Sequence, residues 1–230
     1  MKKFALAGFP ISLSESPALF RQAYGGKYRY DLIETPDFEE AWARFLSGYA
    51  AVNVTAPFKG LAFLRADSRS PEAELCKAAN VCVLTDGKVR AYNSDCLAVE
   101  SLVAGYASGC RTAAVLGLGG AGRAALAALG RCGFKDVKVL HHDELRGGVD
   151  ADLVIHTLSG PVEGDDLIRC RVLFEANYTR PALAGRVPEG CLYVGGREWL
   201  AAQATAGYEL MTGEPPVGLA ALSALQNSPK

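Results

Sequence analysis

Residues 115–124 read VLGLGGAGRA, and they constrain the fold more than any other stretch. They follow a short apolar run from Thr112 to Leu116. They open an alanine-rich run from Ala121 to Leu129, with a helix stop at Gly133. Gly117-x-Gly119-x-x-Gly122 therefore sits in a strand–turn–helix frame, the frame of a dinucleotide-binding fingerprint. In that frame Gly117 permits a tight turn, Gly119 lets a pyrophosphate approach the main chain, and Gly122 lets helix and strand pack closely. The amides at the helix start and the positive end of its dipole favour phosphate. A tight βα turn without a ligand is the alternative that this spacing leaves open.

A chain of 230 residues is long for one core and fits two modest domains. Half of it is hydrophobic and its net charge is −1, which describes a soluble globular protein with no attraction to nucleic acid or an anionic membrane. The apolar runs fall short of a membrane span. The opening MKKFALAGFP lacks the longer run and cleavage site of a secretory leader, and reads as a first strand. Seven scattered cysteines without a CxxC pair suit reduced thiols in a cytoplasm. The three histidines, His141, His142 and His156, lack a metal-ligand spacing, so no metal is expected.

Strand-like and helix-like runs alternate, which predicts an α/β protein with mainly parallel sheets. Strands are expected at 4–9, 28–33 and 50–54, and helices at 17–24, 38–46 and from Pro57. Residues 81–84 and 88–92 flank Thr85-Asp86-Gly87, a hairpin signal. A helix from about Asp95 to Tyr106 leads into the glycine segment. Further strands are expected at 137–140, 153–156, 172–175 and 192–194. The domain change is placed near residue 100: residues 1–100 form an N-terminal α/β substrate domain and residues 101–196 a shortened Rossmann-type domain. A last helix starts near Arg197. Leu200, Ala204, Tyr208 and Met211 share one stripe of it, so the segment 197–230 is expected to pack back on the first domain.

Three segments carry candidate chemistry. In GFPISLSESP a strand ends and a helix begins at Ser16-Pro17. Ser16 suits an N-cap and Pro17 the first helical position. Alternatively, Ser14 and Ser16 present hydroxyls beside helix-start amides, a neutral cradle for a carboxylate. In NVTAPFK, Lys59 falls in the first turn of a helix, the unfavourable end of the dipole for a cation. It is either a surface lysine or a proton donor facing a cleft. In YNSD, Asp95 is either an N-cap or the anion that holds Lys59. Asn80, just before the hairpin, gains no role from spacing alone.

Taken in order, these segments resemble the shikimate dehydrogenase family. Its pattern runs G-x-P-[IL]-x-H-S-x-S-P, N-V-T-x-P-x-K, G-A-x-N-T, N-T-D and G-x-G-G-A. The counterparts here are GFPISLSESP, NVTAPFK, AANVCV, YNSD and GLGGAG. Residues 174–183 and 194–203 resemble two later family segments, so the likeness covers nearly the whole chain.

The resemblance implies reduction of 3-dehydroshikimate to shikimate with NADPH, on the route to aromatic amino acids. It implies that Lys59 and Asp95 form the catalytic pair. Ser14 and Ser16 would bind the substrate carboxylate, Thr55, Asn80 and Gln203 the ring substituents, and Tyr178 would line the cleft. Gly117, Gly119, Gly120, Ala121, Gly122, His142, Asp143 and Gly195 would meet the cofactor. The implied partner is a small molecule, and the assembly a monomer or homodimer.

The departures from the family pattern are specific. Leu13 replaces the usual His, Ser94 stands for Thr in N-T-D, and Trp199 replaces a Met. Where the family carries N-R-T, this chain has His141-His142-Asp143. The next strand follows only a few residues later, so a helix, a strand and another helix are expected to be missing at the adenosine edge. Asp143 suits ribose hydroxyls and repels a 2′-phosphate. Arg123, Arg146 and protonated His142 are candidate cations that would oppose it. NADP is thus the family expectation and NAD the alternative. A quinate or other cyclic hydroxy-acid dehydrogenase, a non-catalytic ligand-binding relative and a methylenetetrahydrofolate dehydrogenase-like enzyme are the rival readings.

Overall fold

A computed structural model describes residues 2–160, 163–164 and 167–219. By internal packing the chain forms two compact units. One runs to Ser94 and resumes at Ala204; the other spans Asp95–Gln203.

The first unit begins β1 (Lys3–Gly8), α1 (Ser16–Ala23), β2 (Arg29–Glu34), α2 (Phe38–Gly48), β3 (Ala51–Val54) and α3 (Lys59–Arg65). It continues with β4 (Ser68–Arg69), α4 (Pro71–Cys76), β5 (Val81–Thr85) and β6 (Lys88–Tyr92). The strands form one mixed sheet in the order β2-β1-β3-β5-β6-β4. β1 runs parallel to β2 and β3, and β5 antiparallel to β3 and β6. The β5–β6 turn has Asp86 and Gly87 both at positive φ, the conformation expected of a two-residue hairpin.

Side chains alternate across this sheet, as strand period two requires. Ala5, Ala7, Val52, Val54 and Cys82 point into one core with Trp42, Phe45, Phe58 and Phe63. Phe4, Ala51 and Val81 point into the other, with Phe20 of α1 and with Ala204, Tyr208 and Met211. Those last three lie on α7 (Gly196–Thr212). The expected stripe is therefore buried from Ala204 onward, whereas Leu200 is only half-buried. Residues 220–230 of the expected C-terminal segment lie outside the described residues.

The second unit begins in α5 (Ser94–Tyr106) and continues β7 (Ala113–Leu116), α6 (Gly120–Arg131) and β8 (Val137–Leu140). A single 3₁₀ turn (Leu145–Gly147) and β9 (Val149–Asp150) precede β10 (Leu153–His156). Then come β11 (Ile168–Arg169), β12 (Val172–Glu175) and β13 (Leu192–Val194). Five strands form an all-parallel sheet in the order β13-β12-β10-β7-β8. β7, β10 and β12 are buried along their whole length, as central parallel strands are. The chain leaves β7 for β8 on one side and then crosses to β10 on the other. That reversal makes a switch point at the carboxyl ends of β7 and β10, where open α/β sheets bind ligands. β8 is an edge strand among the described residues. Only the 3₁₀ turn and β9 span the crossover, so the expected shortening is visible. Among the described residues no helix is long and apolar enough to cross a membrane.

Candidate active site

In the first unit, the carboxyl ends of β1 and β3 are laced together. The Phe9 amide donates to the Ala56 carbonyl at 3.1 Å, and the Thr55 amide to Ala7 at 2.9 Å. Gly8 is required by this closeness: a Cβ there would overlap the Thr55 methyl and approach the Ala56 carbonyl oxygen to 2.9 Å. Phe9–Pro10 and Ala56–Pro57 are both cis, one in each loop. Glu34, at the end of β2, accepts from the Ile11 and Ser12 amides at 3.0 and 3.3 Å, and so fixes the loop that leads to the serines.

Ser14 and Ser16 form one hydroxyl pair, 3.1 Å apart. The expectation that Ser16 caps α1 is corrected here. Glu15 holds the cap position without a side-chain bond, and Ser16 is already helical. Ser14 Oγ takes the Ser16 amide at 3.3 Å, so one helix-start donor of the expected cradle is partly satisfied within the pair. Behind Ser16, the buried Tyr208 hydroxyl donates to its carbonyl at 3.2 Å.

Lys59 is the first residue of α3 and is half-buried. The expected helix start at Pro57 is also corrected: the Phe58 amide closes a turn on the Thr55 carbonyl at 2.9 Å, which holds residues 55–58 out of the helix. The Lys59 carbonyl accepts from the Ala79 amide at 2.9 Å, so its main chain is tied to the segment that carries Asn80. Thr55 is half-buried at the end of β3.

Asn80 is 4% exposed. Its Oδ1 accepts from the Ser94 amide at 2.7 Å, and its Nδ2 donates to Ser94 Oγ at 3.0 Å. Asn80 is thus the group that receives the first amide of α5. Asp95 is correspondingly not the N-cap: it is the second helical residue and is buried. A polar chain runs back from Asn80 through the sheet. Asn53 Nδ2 donates to the Asn80 carbonyl at 3.4 Å, and the Tyr30 hydroxyl donates to Asn53 Oδ1 at 2.8 Å. Burial lifts the Tyr30 phenol well above its ordinary pKa, so it stays a donor. Tyr30, Asn53 and Glu34 were not singled out from sequence. Their roles depend on partners 22 to 27 residues away, which no local pattern displays.

In the second unit the glycine turn has the expected geometry at two positions. Gly117 has φ +91°, and a Cβ there would come within 2.7 Å of the Leu158 side chain. A Cβ on Gly122 would overlap the carbonyl oxygen of Gly117. Gly119 caps α6 without a side-chain bond. Around Gly119 and Gly120 a Cβ would meet nothing within 4 Å. The protein explains the first and third glycines by its own packing. The open space beside the other two fits a phosphate approaching the helix-start amides. Ala121 follows in the first turn of α6, half-buried.

His142 and Asp143 are exposed in the tight turn after β8, which Glu144 closes by accepting the His141 amide at 2.7 Å. Arg146 pairs with Glu163 at 2.9 Å, which offsets its charge; Arg123 is exposed on α6. Gly195 ends the β13–α7 turn, and its carbonyl accepts from the Glu198 amide at 3.1 Å. Gln203 is half-buried on α7.

Tyr178 lies half-buried in the loop after β12. Gly196 makes room for that loop: a Cβ there would stand 2.5 Å from the Tyr178 nitrogen. The fully buried Glu175 holds the far side, accepting from the Ala182 and Leu183 amides and from the Tyr193 hydroxyl at 2.6 Å. Asn177 Oδ1 accepts from the Thr179 and Arg180 amides and tightens the turn between them.

A parallel nucleotide-type sheet, joined to a second α/β unit with a serine pair and a lysine at its strand ends, is the build of a two-unit dehydrogenase. Residues 6–82 match the family model described as the shikimate dehydrogenase substrate binding domain. The chain is 32% identical over 199 residues to a shikimate dehydrogenase (NADP(+)) of Shewanella halifaxensis, covering 81% of this chain and 70% of that one. Among solved structures, shikimate dehydrogenase of Mycobacterium tuberculosis superposes with a TM-score of 0.77 at 29% identity, over 98% of this chain and all of the other. Shikimate 5-dehydrogenase of Thermus thermophilus, solved in complex with shikimate, gives 0.77 at 26% identity over the same shares. The chain belongs to the shikimate dehydrogenase family.

Proposed function

We propose that this protein reduces 3-dehydroshikimate to shikimate with NADPH. The observation that carries the reading is where the family match falls. Residues 6–82 contain Ser14, Ser16, Thr55, Lys59 and Asn80, positions that follow β1 or β3 or precede β5, three neighbouring strands of one sheet. The residues of the glycine turn suit the cofactor, with Gly119 and Gly120 open beside the helix start. NADPH, when bound there, supplies the hydride.

The chain's own residues do the rest. The paired serines bind the substrate carboxylate through their hydroxyls. Thr55, Asn80 and Gln203 orient the ring hydroxyls, and Tyr178 lines the site. As the ketone carbon gains the hydride, negative charge develops on its oxygen. Lys59 gives that oxygen a proton, and Asp95 orients the lysine and shares the proton transfer. In the reverse direction Lys59 accepts the proton from the hydroxyl.

Initial rates of nicotinamide reduction test the reading, with shikimate and quinate each paired with NADP and NAD. Shikimate with NADP should be fastest. A preference for quinate would move the assignment to a related ring acid, a result favoured by one observation: Leu13 is 96% exposed where the family carries a His. No reaction with any pair would leave a ligand-binding relative.

Ser14→Ala and Ser16→Ala should each raise KM for shikimate with a smaller effect on kcat. Loss of a hydrogen bond to a charged carboxylate is worth roughly 1.5–3 kcal/mol, which is about 10- to 150-fold in binding. Because Ser16 is not the cap of α1, Ser16→Ala should not lower the melting midpoint appreciably. Equal discrimination by wild type and variants between shikimate and an analogue lacking the carboxylate would place the cradle elsewhere.

Cofactor choice is read at Asp143. Its exposed position after β8 suits ribose hydroxyls. We expect Asp143→Ala to raise NADP affinity relative to NAD, measured by titration calorimetry. An unchanged ratio would show that Asp143 takes no part in the choice.

A further inference from the structure

None of the seven cysteines forms a disulfide in this structure, and two of them meet. Cys170 and Cys191 have their sulfurs 3.4 Å apart. They stand at the amino ends of adjacent parallel strands: Val172 is in register with Leu192, and the Leu192 amide donates to the Arg171 carbonyl at 2.8 Å. The main chain around the two sulfurs is thus already fixed by the β12–β13 ladder. A disulfide has an S–S length of about 2.05 Å, so closure needs roughly 1.4 Å of approach, within the reach of side-chain rotation.

We propose that Cys170 and Cys191 are a dithiol site that oxidises reversibly to an intramolecular disulfide. The two members have different parts. Beyond burial, which raises both thiols, the contact between the two sulfurs raises Cys170 further and lowers Cys191. Cys191 is therefore the attacking sulfur. The oxidant class is a low-molecular-weight disulfide. The Cys191 thiolate attacks one sulfur of it, the S–S bond breaks, and the first small thiol leaves. Cys170 then loses its proton and attacks the Cys191 sulfur of the mixed disulfide, expelling the second small thiol. Two cysteine thiols are oxidised and one small disulfide is reduced to two thiols.

Burial raises the pKa of both groups, so the first attack is slow at neutral pH. Selectivity comes instead from the second step, because the resolving sulfur already touches the first. The cross-link would clamp β13, a three-residue edge strand, and close the loop that carries Tyr178. The proposal stands apart from the dehydrogenase reading, since it needs no substrate or cofactor.

The test is incubation of the full-length protein with oxidised glutathione, followed by intact mass and peptide mapping. The expected product has lost two hydrogens and links Cys170 to Cys191. Dithiothreitol should reverse the link, and the melting midpoint of the oxidised form should rise by about 5 °C or more. Cys191→Ser should give no link at Cys170, and Cys170→Ser should leave glutathione attached to Cys191. A lasting glutathione adduct at Cys191 in the wild type would overturn the proposal. So would a link from either residue to Cys110, or retention of all seven thiols.

Discussion

Lys59→Ala is expected to lower turnover by about 10²–10⁴-fold, the loss that follows removal of a positioned proton donor. The protein should remain folded, because the Lys59 carbonyl takes the Ala79 amide and alanine keeps that main-chain bond. Alanine also suits the first position of a helix at least as well as lysine. KM for NADP should stay near the wild-type value, since the glycine turn belongs to the other unit. Asp95→Asn should be similarly slow. If the two side chains act as one unit, the double variant will lose much less than the product of the single losses. Near-normal turnover in Lys59→Ala would remove the assignment, and multiplicative losses would show two independent roles.

The glycine turn gives the second large effect, and its members should respond in opposite ways. Gly122→Ala drives a Cβ into the Gly117 carbonyl oxygen, a main-chain atom held between β7 and α6. It should cost several kcal/mol, beyond the ~1 kcal/mol of a common substitution, and unfold the second unit at a lower temperature. Gly120→Ala meets no protein atom within 4 Å and stands in the first turn of a helix. It should hold or slightly raise the melting midpoint, because alanine favours a helix by up to about 1 kcal/mol over glycine. Its NADP affinity should nonetheless fall about tenfold or more, ~1.4 kcal/mol, if a phosphate occupies that space. Calorimetric melting and NADP titration on both variants read the two effects separately. Unchanged NADP binding in Gly120→Ala would mean that the open space is not the phosphate site.

The same turn shows what a sequence can reveal. Gly117 and Gly122 are legible because their reasons are local: a positive φ and a contact five residues apart. The buried strands Leu153–His156 and Val172–Glu175 are legible because a central parallel strand must be apolar along its length. Helix starts were less legible. Ser-Pro fits both a cap and a first helical residue, and at Ser16 the choice was made by Ser14 two residues earlier. At Ser94 it was made by Asn80, fourteen residues away, so Asp95 looked like a cap without being one.

α4 is announced only by Ser70-Pro71, with Ser70 Oγ accepting the Ala73 amide. The two-residue strands β4, β9 and β11 are too short to show a period. Glu175 is the extreme case. A fully buried carboxylate looks improbable until the Leu183 amide and the Tyr193 hydroxyl are brought to it by the fold.

The most direct measurement follows NADPH consumption with 3-dehydroshikimate, wild type beside Lys59→Ala, with the product identified by chromatography. The account predicts shikimate formed in step with NADPH oxidised by the wild type, and a rate lower by at least about two orders of magnitude in the variant. Absence of shikimate in the wild-type reaction, with the protein folded and NADPH bound, would contradict it.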